Sequence, residues 1–363
     1  MAELSRSKLN LQVDWQAVRM DLYQDRLLYW FVLFSSLVTA VIVWFNRERI
    51  VYQYQFDVYL SLISTCLSAT FICWVIYYYF RLMFQREPRP FLKFYQAVKA
   101  MVWPLNRPIT FAVRILLLNI CFANYTYIKE IIPELQPFQL DEMFYRWDQW
   151  LHGGVDPWQL THAVFANQYA SLFLNVLYHL WFFFLWGSFL YFVCVCRQQR
   201  LRLQFLLSLL VCWFVLGNLL AIALSSAGPC FIQLLEPANS SYQPLMALLE
   251  QQNLALKSAQ FFELWALNVQ DLLWQAHTHR GTQLGSGISA MPSMHVASAV
   301  LFALGAYQVN KRLGWVMWGY AALIQVGSVH LAWHYAVDGY VAAAATLLIW
   351  FSVKWLLSRT SSC

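Results

Sequence analysis

Two short stretches in the last eighty residues bring ionisable side chains to the edges of long apolar runs. They are Ala290-Met291-Pro292-Ser293-Met294-His295 and His330-Leu331-Ala332-Trp333-His334-Tyr335-Ala336-Val337-Asp338. An ionisable residue within a membrane segment is costly to bury and is a functional candidate by default. His330, His334 and Asp338 recur every four residues, so a continuous helix sets them in one stripe, with neighbours in reach of each other. A carboxylate one turn beyond a histidine accepts the Nδ1 proton and leaves Nε2 free as nucleophile or base. In the other stretch, Pro292 suits the first turn of a helix, where its missing N–H would be unpaired anyway. The N–H groups of Ser293, Met294 and His295 then point out of the helix start, where the dipole favours an anion. With the Ser293 hydroxyl and His295, they form a candidate phosphate cradle. A single His in an apolar span is ordinarily a structural hydrogen-bonding residue; a His-x3-Asp pair on the same membrane face as Pro-Ser-x-His weighs towards chemistry.

The elements that must position these residues are membrane helices. A chain of 363 residues with 60% hydrophobic, 18% aromatic and 12% charged content does not fit a soluble protein. Apolar runs predict an all-α polytopic membrane protein with about eight transmembrane helices, at about 27–45, 58–84, 109–128, 170–196, 204–224, 292–309, 313–331 and 336–357. Residues 4–26 fit either a helix on the membrane surface or a solvated tail, and they show no cleavable signal-peptide pattern. Two connecting segments, 129–169 and 225–291, are too long to be simple links. Their aromatic and helical patterning fits interfacial segments that either roof a site or anchor at the membrane surface. Six of the eight cysteines lie inside apolar spans, with neither a disulfide framework nor zinc spacing.

Orientation follows from Lys and Arg in alternate loops. The set containing both termini holds 17 and the other 6, with Arg114 left over inside the third span, where it most simply snorkels to the inner surface. Both termini are therefore expected inside, with the two motif stretches at the extracytoplasmic face. The pattern fits a bacterial inner membrane, and a eukaryotic endomembrane stays open.

Pro292-Ser293-Met294-His295 and His334-x3-Asp338 resemble the second and third motifs, P-S-G-H and S-R-x5-H-x3-D, of the type-2 phosphatidic acid phosphatase superfamily. The wording Ala-Met-Pro-Ser-Met-His, an upstream Gly-Gly-x-Asp-Pro-Trp and His-Tyr-x2-Asp are more similar to the branch of inositol phosphorylceramide synthases. The resemblance covers roughly residues 109–357. It implies a six-helix lipid-phosphatase-like core within 101–363, preceded in 1–100 by a surface helix and two additional spans. It also implies phosphoryl transfer without metal or other cofactor. His334 would be the nucleophile, Asp338 would orient it and His295 would be the general acid and base. The partners would be a lipid phosphoester donor in the membrane and a lipid, polyol or water acceptor, with no nucleic acid involved; oligomeric state is open.

Two departures stand out. The family's K-x6-R-P motif is absent, since Lys99 to Arg107-Pro108 is one residue too long, and Ser328 and Gly327 stand where the third motif has Arg and Ser. His330, Arg280, His277 and His279 are candidate replacements for the missing phosphate-binding cations, with Ser293 as a further phosphate contact. Trp147, Trp150, Tyr178 and Trp333 are candidate walls of an apolar pocket. Two rival readings remain at this stage: a metal site built from His330, His334, Asp338 and His295, and a non-catalytic lipid-handling protein.

Overall fold

The computed structural model describes residues 13–47, 53–279 and 287–360. Among them no strand occurs, and the chain is an all-α polytopic membrane protein. The helices of eight residues or more, in order, are α1 (Trp15–Gln24), α2 (Arg26–Asn46), α3 (Phe56–Phe84), α4 (Pro90–Val102), α5 (Asn106–Glu130), α6 (Asp141–Leu151), α7 (Pro157–Val164), α8 (Gln168–Val195), α9 (Gln199–Ala223), α10 (Gln243–Ser258), α11 (Trp265–Thr278), α12 (Met294–Val309), α13 (Lys311–His330) and α14 (Ala336–Thr360). Six of these, α2, α3, α5, α8, α9 and α14, are long and apolar enough to cross a bilayer. The other two expected spans are helices that fall outside that measure. α12 has only 16 residues, and α13 is diluted by Gly314, Gly319, Gln325, Gly327, Ser328 and His330. Both long connecting segments are helical, as α6 with α7 and as α10 with α11.

The chain divides into two compact units. The first comprises residues 1–34 and 56–122. Within it α1 is capped by Asp14, whose carboxylate accepts from the N–H groups of Gln16 and Ala17 at 3.0 Å each. Arg114 does not snorkel to a surface: it is buried, and its Nε donates to the buried Asp25 carboxylate at 2.8 Å. A paired guanidinium can stay inside because the carboxylate replaces the hydration it gives up.

The second unit, residues 35–55 and 123–363, holds both motif stretches. Its centre is a helical hairpin. Asn310 ends α12, and its side chain accepts from the N–H groups of Arg312 and Leu313 at 2.9 and 3.2 Å, starting α13 at once. The arms approach closely because Gly314 faces Tyr307; a Cβ there would lie 2.5 Å from the Tyr307 backbone. α12 buries Ala297, Ser298, Ala299, Ala303 and Gly305, small residues that let neighbouring helices come near. α14 packs along α12 and α9, and α8 lies against α13. α11 is tied down over this core, with the Asn175 side chain accepting from Ala266 N–H at 3.0 Å and Gln270 donating to the Leu331 carbonyl at 2.9 Å.

Candidate active site

The site forms where α13 gives way to α14. α13 ends at His330, and Ala332 takes a left-handed φ of 62°. The N–H groups of Trp333 and His334 then both donate to the Ser328 carbonyl, at 2.9 and 3.1 Å. This turn breaks the helical stripe. His334 and Asp338 stay together: Nδ1 of His334 lies 3.2 Å from Oδ2 of Asp338, which also accepts from Tyr335 N–H at 3.1 Å. Both side chains are buried, Asp338 completely. Burial, with the Lys129 ammonium adding to it and a backbone bond to Ala290 opposing, pushes the His334 imidazole down to about 3. At neutral pH His334 is therefore an uncharged ring, and with Nδ1–H donating to Asp338 it keeps a lone pair on Nε2.

His330 turns the other way. It is buried with its ring stacked on His162 at 3.6 Å between centroids, and its Nε2 lies 2.7 Å from the Ser171 hydroxyl. The structure thus does not bring His330 to His334. Among the described residues no three His, Cys, Asp or Glu side chains converge as metal ligands. Arg280 lies outside the described residues. His277 is half-buried against Phe138 and Trp274, and His279 bonds to the Gln275 carbonyl in the last turn of α11.

Pro292 does not occupy the first turn of α12. Helix α12 starts at Met294, with Ser293 as its cap, and the Ser293 hydroxyl accepts from Val296 N–H at 3.4 Å. Two starts compete here, proline at the first helical position and serine at the cap. The serine start prevails, satisfying an otherwise orphan N–H. The Ser293 N–H is also engaged, donating to the Asp338 carbonyl at 3.2 Å, which stitches one motif stretch to the other. Ser293 is fully buried, so its hydroxyl serves the helix start.

In the first turn of α12, His295 comes within 6.4 Å of His334, centroid to centroid. Its ring stacks on Tyr178 at 4.3 Å and meets Trp181 at the same distance, while Trp333 is stacked with Tyr178 at 6.1 Å. Two of the four expected wall residues, Tyr178 and Trp333, are thus beside the imidazoles. Trp147 packs on Phe144, and Trp150 is 79% exposed.

Two residues that local pattern did not single out hold the turn in place. Asp148 of α6 accepts from the N–H groups of Ala336 and Val337 at 2.7 and 2.9 Å, capping α14 from outside. Asp141, two turns earlier on the same face, accepts from the N–H groups of Ala227 and Gly228 and from the Tyr335 hydroxyl, at 2.9, 2.8 and 3.0 Å. Burial raises both carboxyls, Asp148 to about 6, against the lowering effect of these bonds. The signal was an i, i+7 acidic pair on a helix that also carries Phe144, Tyr145, Trp147 and Trp150. A neutral imidazole held by a carboxylate, with a second imidazole close by, is an arrangement suited to transferring an acyl or phosphoryl group.

No curated protein and no solved structure matches the chain. The family model described as the PAP2 superfamily matches residues 142–353, more than half of the chain and a range that takes in all of α6 but Asp141, both motif stretches and most of α14. The chain belongs to the PAP2 superfamily.

Proposed function

We propose that the chain is a membrane-embedded phosphotransferase that moves a phosphate or phospho-head group from a lipid phosphoester to a lipid or polyol hydroxyl through a phosphohistidine on His334. The observation that carries this reading is the His334–Asp338 pair with His295 close by, on a chain of the PAP2 superfamily with six bilayer-length apolar helices.

In the proposed reaction Nε2 of His334 attacks phosphorus as the bond from phosphorus to the lipid oxygen breaks. His295, protonated when the phosphate group binds, gives that oxygen its proton. Asp338, accepting from Nδ1, stabilises the ring as it gains charge. The acceptor hydroxyl then attacks the phosphohistidine and the phosphorus–nitrogen bond breaks. His295 takes the hydroxyl proton, which restores both histidines. Splitting the transfer lets the first lipid depart before the acceptor arrives.

Water in place of the hydroxyl gives the second reading, a lipid phosphate or isoprenyl diphosphate phosphatase. The inositol phosphorylceramide synthase-like wording around Pro292 and His334 favours the transferase. The Lys and Arg distribution supports a site on the extracytoplasmic face, with both termini inside and a bacterial inner membrane as the location. The test is mass-spectrometric analysis of a mixed lipid extract incubated with wild type and with His334→Ala. New head groups made only by wild type establish the transferase and name both substrates. Inorganic phosphate alone establishes the phosphatase, and no change in either sample removes the enzymatic reading.

A further inference from the structure

The last turn of α5 brings a lysine towards the imidazoles. Lys129 folds back so that its Nζ lies 5.8 Å from the centre of the Tyr125 ring. That ring borders Gly217 together with Met294, the residue before His295: a Cβ at Gly217 would lie 2.5 Å from Tyr125 and 3.1 Å from the Met294 sulfur. On its other side, the Lys129 carbonyl and Cγ press on Gly287, at the head of the segment that leads to Pro292; a Cβ there would lie 2.9 Å from the carbonyl. The Lys129 charge acts on both His295 and His334.

No carboxylate among the described residues pairs with Lys129. The neighbouring Glu130 turns to Gln55, whose Nε2 donates to it at 2.6 Å. A half-buried ammonium beside Tyr125 and Gly287 has given up part of its water without gaining an anion, an unfavourable state unless a ligand supplies the negative charge. The groups around His295 show the same bias towards donors. The Tyr178 hydroxyl and the indole N–H groups of Trp181 and Trp333 are buried with no acceptor among the described residues. An indole N–H can only donate. A cation and three donors gathered about two imidazoles match a tetrahedral oxyanion.

We propose that Lys129 is the residue that binds the phosphate group of the substrate, with Tyr178, Trp181 and Trp333 as surrounding donors. The assignment rests on the phosphotransfer reading of the same site and gives it the positive charge that neither motif stretch contains. Lys129 holds the phosphoryl oxygens while His334 attacks, and offsets their charge as it redistributes.

Binding of inorganic phosphate to the full-length protein in detergent, followed by phosphorus NMR, tests this without requiring turnover. Lys129→Gln should weaken phosphate about ten-fold or more, the effect of losing one charged hydrogen bond, and Lys129→Arg should keep most of the affinity. Lys129→Met, neutral and of similar length, serves as the second reading if the Gln variant does not fold. Wild-type affinity in a folded neutral variant overturns the assignment, and so does wild type that takes up no phosphate. Phosphate bound through Lys129 by a wild type that turns over no lipid phosphoester would sink the transfer reading alone. Turnover with unchanged phosphate affinity in the variants would sink the Lys129 assignment alone.

Discussion

The Asp148 carboxylate accepts the N–H of Ala336 at 2.7 Å and that of Val337 at 2.9 Å, so the helix bearing Asp338 is capped by a residue 188 positions before its first turn. The cap an α-helix ordinarily takes from its own preceding residue comes here from another element. Asp141 does the parallel task for the turn at Ala227 and Gly228 and for Tyr335. One face of α6 thus holds Tyr335, Ala336 and Val337, the three residues that follow His334.

Removing the Asp148 side chain leaves two buried N–H groups without partners. Asp148→Ala should cost about 1–3 kcal/mol of stability and lower kcat more than it raises KM, because it disturbs the turn that presents His334. Thermal unfolding in detergent and steady-state kinetics measure both. A variant of wild-type stability and kcat would show that the cap is dispensable.

The pH dependence follows from the same carboxyl. Burial raises Asp148 from 3.8 to about 6, and its backbone bonds oppose the shift. Its folded value lies above the unfolded one, so its contribution to stability is full below about 4 and is lost as pH rises through about 6. Activity should run the other way. Protonation below about 6 turns one accepting oxygen into a donor and loosens the start of α14. His334, already neutral down to about 3, does not set this limb. The acid limb of kcat should fall near pH 6 in wild type and be absent in Asp148→Asn, which should be uniformly slow. An unchanged limb in the variant would refute the assignment.

Gly228 has φ 102°, and a Cβ there would lie 2.8 Å from the Trp333 carbonyl and 3.1 Å from the Ala290 side chain. Gly228→Ala should therefore displace both motif stretches at once. The expected cost is about 1–3 kcal/mol, with activity lost to a greater degree than stability. A variant with wild-type melting temperature and turnover would contradict the packing described at this turn.

Asp338→Asn keeps the shape of the side chain and lets its amide hold Tyr335 N–H through the remaining oxygen, but it removes the charge facing His334. The protein should fold, and kcat should fall by about 10²- to 10⁴-fold with little change in KM. Full activity would show that Asp338 is a structural carboxylate.

Apolar runs located the helices, and the His334–Asp338 and Pro-Ser-x-His spacings located residues the fold brings together. What local pattern could not show came from long range or from a break in period. The stripe through His330 fails because Ala332 adopts a left-handed conformation that neither glycine nor proline announces, so a four-residue spacing that looks helical spans a turn. His330 finds its partners in His162 and Ser171, on α7 and α8. Arg114 pairs with Asp25, 89 residues away, where span position alone points to a surface. Asp141 and Asp148 look like the polar side of an interfacial helix until the backbone amides they accept from are known. For Pro292, two good helix starts lie side by side, and the local sequence does not choose between them.

The central claim is a covalent phosphoryl group on His334. Its most direct test is rapid acid-free quenching of wild type and His334→Ala mixed with the donor lipid that product analysis identifies, labelled at phosphorus, followed by peptide mapping. The account predicts a base-stable, acid-labile label on the peptide containing His334, formed as fast as turnover and missing in the variant. Turnover without labelled protein, or the same label on His334→Ala, would contradict it.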